Sequence, residues 1–143
     1  MTRGWIRWIR RLLPRPAPEN LRRGRMGEDA AAARLRADGA RILVRNYSDG
    51  RGEIDLIISD EEGMAFVEVK TRSSGQWLRP AAAVNRRKRQ LLSAAALHYL
   101  RATGSPRIAI RFDIVEVLLR NELPVEIRHL RNAFPLERGW QYP

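Results

Sequence analysis

Between residues 20 and 135 the spacing of apolar positions changes period several times, and each change marks a new element. Leu21, Gly24, Glu28, Ala31, Ala32 and Leu35 fall on one stripe at helical spacing, which predicts a helix over about Leu21 to Asp38, closed by Gly39 as a C-terminal cap. Arg41 to Tyr47 alternates as a strand, and Ser48-Asp49-Gly50-Arg51-Gly52 is a flexible connection. Two runs rich in Ile, Leu, Val and Phe follow, Gly52 to Ile58 and Phe66 to Arg72, separated by the turn cluster Asp60-Glu61-Glu62-Gly63. That pattern predicts a β-hairpin. A second helix spans roughly Arg86 to Ala102, with Asn85 as N-cap, Gly104 at its end, and Leu91, Leu92, Ala95, Ala96 and Tyr99 on its apolar face. Pro106 to Leu119 reads as a core strand, with Ile108, Ile110, Phe112 and Ile114 on one side and Arg111, Asp113, Val115 and Val117 on the other. Val125 to Leu130 adds an edge strand, and Asn132 to Pro143 is unreadable for function. The sum is an α/β domain of two or three layers in the order α-β-β-β-α-β. Its mixed sheet holds an antiparallel hairpin, and a helical crossover, expected to be right-handed, returns a strand in parallel.

The hairpin runs contain residues that a buried strand does not want. If the hairpin centres on its turn, Ser59 pairs with Met64; Asp55 then faces Glu68, and Glu53 faces Lys70. Opposed side chains in a sheet lie ~4.5–5.5 Å apart at Cβ. Two like charges that close repel by roughly 4 kcal/mol at an effective dielectric near 20. Two carboxylates are also the hard oxygen donors that Mg²⁺ or Mn²⁺ takes, and a bound cation removes the repulsion.

Lysine usage points the same way. Of 27 basic residues only Lys70 and Lys88 are lysines. A compact ammonium suits orienting or deprotonating a water, whereas Lys70 could equally neutralise Glu53 across the hairpin. Lys88 lies on the apolar face of its helix, flanked by Arg86, Arg87 and Arg89, at a helix start that favours phosphate. It either points into a cleft toward a phosphate or snorkels its ammonium to water. Glu28 interrupts the buried stripe of the first helix and must find a cation or donors, for which Arg72 is one candidate. Trp77, in the loop after the hairpin, could stack on a base or lid the core. Asp113 reads as a structural partner of Arg111 or a neighbouring strand, and His98 and His129 as structural or surface residues.

Net charge is +11, which predicts a polyanionic partner, nucleic acid before anionic membrane. Five arginines and no acid occupy residues 1–18; the remaining 22 basic and 16 acidic residues leave the body at +6. The 143 residues fit one domain over 20–135, preceded by an arm and Pro-rich linker (1–19) and followed by a tail (136–143). In the arm, Trp5, Ile6, Trp8, Ile9, Leu12 and Leu13 recur among arginines, giving either an amphipathic element for membrane or nucleic acid or a passive tail. It is too short and too charged for a membrane span or signal peptide. Without cysteine there are no disulfides or thiolate zinc sites, and a cytoplasmic location is expected. The Gly-x-Gly at 50–52 lacks the context of a phosphate loop, so no nucleotide cofactor is expected.

Asp55, twelve residues, then Glu68-Val69-Lys70 resembles the PD-(D/E)XK signature of the restriction-endonuclease-like superfamily. The strings Gly27-Glu28, Gly52-Glu53-Ile54-Asp55-Leu56-Ile57, Phe66 to Arg72 and Arg111-Phe112-Asp113 resemble the YraN-like family of small bacterial proteins within it, over roughly Leu21 to Phe134. That family is related in fold to archaeal Holliday-junction resolvases. Ile54 stands where the signature has proline. The resemblance implies a metal-dependent endonuclease. Asp55 and Glu68 would hold Mg²⁺ or Mn²⁺ with the Val69 carbonyl, Lys70 would serve the attacking water, and Glu28 would be an accessory acid. Lys88, Arg86, Arg87, Arg89, Arg72 and Trp77 are the candidate contacts to nucleic acid, DNA before RNA and possibly branched. A non-catalytic binding module of the same fold, and a membrane-associated adaptor using the arm, fit the same charge pattern.

Overall fold

The computed structural model describes residues 18–73 and 84–137. Helix α1 (Glu19–Ala37) leads into β1 (Arg41–Ser48), β2 (Glu53–Asp60) and β3 (Gly63–Arg72); helix α2 (Arg86–Ala102) then leads to β4 (Ile110–Arg120) and β5 (Leu123–Phe134). The five strands form one sheet in sequence order. All neighbours are antiparallel except β3 and β4, which α2 joins in parallel. This is the restriction-endonuclease-like α/β core expected from the sequence.

Strand alternation divides the core in two. Ile57, Phe66, Phe112 and Ile114 pack with Leu92, Ala96 and Leu100 of α2. Leu56, Ala65, Val67, Val115 and Val117 pack with Ala31, Ala32 and Leu35 of α1. The helices therefore cover opposite faces, and the architecture has three layers. No helix among the described residues is long and apolar enough to cross a membrane.

Local chemistry sets several boundaries. Asn85 caps α2, its side chain accepting from the Lys88 amide at 2.9 Å. Gly39 and Gly104 follow the helix ends with φ of 95° and 88°, the left-handed geometry that spares a Cβ clash. The β4–β5 turn, which the sequence did not announce, is Asn121-Glu122, with φ of 51° and 60°. Both central residues thus take the positive φ of a type I′ hairpin without the usual glycine.

Three expectations need correction. Ile108 is exposed and precedes β4, which begins at Ile110, because residues before it are held in turns by Ser105 N–H to Leu100 O (2.8 Å) and Ile108 N–H to Pro106 O (3.1 Å). The edge strand is twice as long as read, and its end is structural: Phe134 is buried and stacks on Phe112 with ring centroids 5.0 Å apart. Leu21, placed on the buried stripe of α1, is exposed, since the sheet is reached only from Gly27 onward.

Gly27 is where α1 touches β3. A Cβ there would lie 1.9 Å from Thr71 Oγ1 and 3.1 Å from Thr71 Cβ, whereas one at Gly24 would meet nothing within 4 Å. Gly27→Ala should therefore destabilise the protein by about 1–2 kcal/mol, overpacking outweighing the gain in helix propensity. Gly24→Ala, without that clash, should stabilise by about 0.5–1 kcal/mol. Urea denaturation of both variants checks this, and equal effects would rule out close packing at Gly27.

Candidate metal and nucleic-acid site

The hairpin forms in the expected register, Ser59↔Met64 through Leu56↔Val67, and there the ladder stops. The next residue explains why. Asp55 Oδ2 accepts the Val69 amide at 2.7 Å, so a side chain takes a backbone donor. Ile54 belongs to the α2-side core and Leu56 to the α1-side core, although strict alternation would put both on one face. The strand changes face across Asp55, which can consequently be reached from both helices.

Each helix is drawn in by a glycine. Gly27 seats α1 on Thr71, placing Glu28 near Asp55. At Gly52 a Cβ would come within 3.0 Å of Leu91 O, so α2 lies against the start of β2. Asp49 organises the loop before it, its Oδ1 accepting the amides of Arg51 (2.9 Å) and Gly52 (2.8 Å), which hold its pKa below the usual carboxylate value.

Asp55 and Glu68 form the centre. Burial, then the charge of Glu68, push the Asp55 carboxyl up to about 7, with Glu28 adding to the rise while the Val69 amide and Lys88 oppose it. Glu68 is 5% exposed, and its Oε2 is buried without a hydrogen-bond partner among the described residues. Its Oε1 meets both lysines of the chain, Lys70 Nζ at 3.4 Å and Lys88 Nζ at 3.6 Å. Lys88 thus points into the site from α2 rather than snorkelling away from it.

Glu53 does not face Lys70. The hairpin ladder ends at Leu56↔Val67, and Glu53 pairs instead with Ser48 of β1. Oriented with its nitrogen toward the acids, the Asn46 amide donates to Glu28 Oε2 (3.1 Å) and Glu53 Oε1 (3.2 Å). Burial raises the Glu28 pKa, Arg45 opposes it, and Glu53 adds to it. The partners that satisfy Glu28 are therefore on β1, with no ion pair to Arg72. Among the described residues no three His, Cys, Asp or Glu side chains converge into a set that could hold a metal ion.

The flanking cations are less uniform. Arg86 and Arg89 lie 3.9 and 3.6 Å from Glu137 Oε1, and Arg89 also donates to Val84 O at 3.2 Å. Arg87 is exposed. Arg72 is half-buried, its Nε without a hydrogen-bond partner among the described residues. Trp77 and the arm lie outside the described residues.

Glu116 escaped the sequence reading. It is fully buried on β4, opposite Lys70 on one side and Arg128 on the other, and accepts from Arg128 Nη2 at 2.8 Å. An acid inside Val115-Glu116-Val117 was the available signal. Asp113 is structural, as expected: it accepts from Arg111 Nε (2.9 Å), the Asn132 amide (2.9 Å) and, through Oδ2, meets His129 Nε2 (2.8 Å). Arg111 also binds Asp60 at 2.7 Å, tying the hairpin turn to β4.

A family model described as "Uncharacterised protein family UPF0102" matches residues 27–117. The chain belongs to the UPF0102 family, the YraN-like class. A UPF0102 protein of Solibacter usitatus is 46% identical over 126 residues, covering 87% of this chain and 92% of the relative. One from Moorella thermoacetica is 43% identical over 114 residues (79% and 95%), and one from Porphyromonas gingivalis 42% over 115 (80% and 84%). The stretch matched by the UPF0102 model begins at Gly27 and contains Glu28, Asp55, Glu68, Lys70, Lys88 and Glu116, but neither the arm nor β5.

Proposed function

We propose that this UPF0102 protein is a divalent-metal-dependent endonuclease that hydrolyses phosphodiester bonds in nucleic acid. The observation that carries the reading is the half-buried Asp55 beside buried Glu68, whose Oε2 has no hydrogen-bond partner among the described residues. Such a group is costly for a fold and suits a hard cation as its partner. The donor set suits Mg²⁺ or Mn²⁺: Asp55, Glu68 and, by family resemblance, the Val69 carbonyl, with water completing the shell. When bound, the cation would supply charge stabilisation to the phosphate and leaving oxygen.

The chain's own residues do the rest. Lys70 orients the attacking water and, as a cation, favours its ionised form, while Glu28 adds a further acid at the rim. Lys88, Arg87, Arg86, Arg89 and Arg72 hold phosphates, and Trp77 contributes a stacking surface. A net charge of +11 supports a polyanionic substrate. DNA, including branched DNA, is the substrate class that the resolvase-like fold favours.

The test is incubation with single-stranded, duplex and four-way-junction DNA in Mn²⁺, Mg²⁺ or EDTA. Cleavage with Mn²⁺ or Mg²⁺ and none in EDTA is expected. Tight retention of every substrate without cleavage in any metal would make the protein a binding module of nuclease fold.

A further inference from the structure

Both lysines of the chain converge on a single carboxylate oxygen, one cation more than Glu68 needs. They arrive from different elements, Lys70 from β3 and Lys88 from α2, at 3.4 and 3.6 Å from Oε1. Charge-assisted hydrogen bonds usually measure ~2.7–2.9 Å, so neither ammonium is locked onto the acid. Glu68 Oε2, meanwhile, has no hydrogen-bond partner among the described residues. Two loosely placed cations therefore share one oxygen beside a second one that no described residue serves as a donor.

Lys88 is the more easily displaced of the two. Its side chain is 38% exposed against 29% for Lys70. Its backbone is fixed by the Asn85 cap, yet the four-carbon stem above it can swing. Arg86 and Arg87 precede it on the same helical turn, at the end of α2 where an anion is favoured.

We infer that Lys88 is a resident counter-ion of the acid pair, which a divalent cation displaces from Glu68 and so releases toward the phosphate of the nucleic acid. This rests on reading the site as a metal centre. The physical basis is competition: an ammonium beside Glu68 and a divalent cation on the same carboxylates repel each other, and the half-exposed group is the one that moves. Metal loading and phosphate capture are then coupled through one side chain.

The experiment is calorimetric titration with Mn²⁺ at pH 8.5 of wild type, Lys88→Met, Lys88→Arg and Asp55→Ala. Removing the competing charge should tighten Mn²⁺ binding about tenfold in Lys88→Met, which corresponds to roughly 1.4 kcal/mol. Lys88→Arg, which keeps the charge, should stay within about twofold of wild type. Because the chain has only two lysines, reductive ¹³C-methylation gives two side-chain resonances, assigned by the variants. Mg²⁺ should shift the Lys88 signal toward that of a free, solvated side chain.

Lys88→Met binding Mn²⁺ no tighter than wild type, or a Lys88 resonance that ignores Mg²⁺, would overturn the inference and leave the two-carboxylate site standing. If wild type and Asp55→Ala respond to Mn²⁺ alike, the metal reading falls, and the counter-ion inference with it.

Discussion

Lys70→Met should abolish cleavage while leaving nucleic-acid affinity almost unchanged. The Lys70 ammonium stands 3.4 Å from Glu68 Oε1, beside the carboxylates that would hold the cation, where an attacking water would need it. Loss of a side chain that orients or activates the attacking water typically costs ~10²–10⁴-fold in rate. Methionine keeps much of the stem's volume, so packing is little disturbed. Affinity depends on many cations: removing one of 27 should flatten the slope of log affinity against log salt by at most about one. Single-turnover cleavage and equilibrium binding on the same substrate separate the two quantities. Equal losses in both would reassign Lys70 to substrate binding.

Asp55→Asn should make the metal-free protein more stable at pH 8.5 and unable to gain stability from Mn²⁺. Burial and Glu68 raise the Asp55 carboxyl from its ordinary 3.8 to about 7. The folded state therefore holds this proton more tightly than the unfolded chain does. Stability from this group falls as pH rises from about 4 to about 7 and is flat above. The full shift corresponds to roughly 4 kcal/mol. Asparagine never carries the charge and can still accept the Val69 amide, so a gain of about 2–4 kcal/mol over wild type is expected at pH 8.5, shrinking toward zero near pH 4. Mn²⁺ at about 100 times its dissociation constant should return roughly 2.7 kcal/mol to wild type and nothing to the variant. Urea unfolding at several pH values, with and without Mn²⁺, measures both effects. Parallel pH profiles for the two proteins would show that Asp55 is not the strained acid.

Much of this was legible in the chain because it depends on local rules. The turn at Glu61-Glu62 and the alternation on either side sufficed for the hairpin register from Ser59↔Met64 to Leu56↔Val67. Asn85 and Gly104 bracketed α2 correctly, since caps act within one helical turn. Acids inside Ile-, Leu- and Val-rich runs marked Asp55 and Glu68 because a buried charge is anomalous wherever the strand packs.

The errors come from interactions that begin where local pairing ends. Extending the register predicted Glu53 opposite Lys70, but the Asp55 carboxylate takes the Val69 amide and the strand turns over. Glu53 then shares Asn46 with Glu28, a partner from β1 that no hairpin rule includes. Arg86 and Arg89, whose phosphate role stays a proposal, also lie near Glu137, a neighbour from the chain after β5 that helix periodicity does not include.

By itself the sequence determined the order and limits of most elements, the family, and which acids and lysines were out of place. Only the tertiary structure decided that α1 and α2 cover opposite faces, that both lysines reach one oxygen of Glu68, and that Glu116 is buried between Lys70 and Arg128 across three strands. The physical reason is one of range. Periodicity, caps and turns fix dihedral angles and the face a side chain leaves by. What it meets there depends on a parallel crossover and on two helices seated against glycines far apart in the chain.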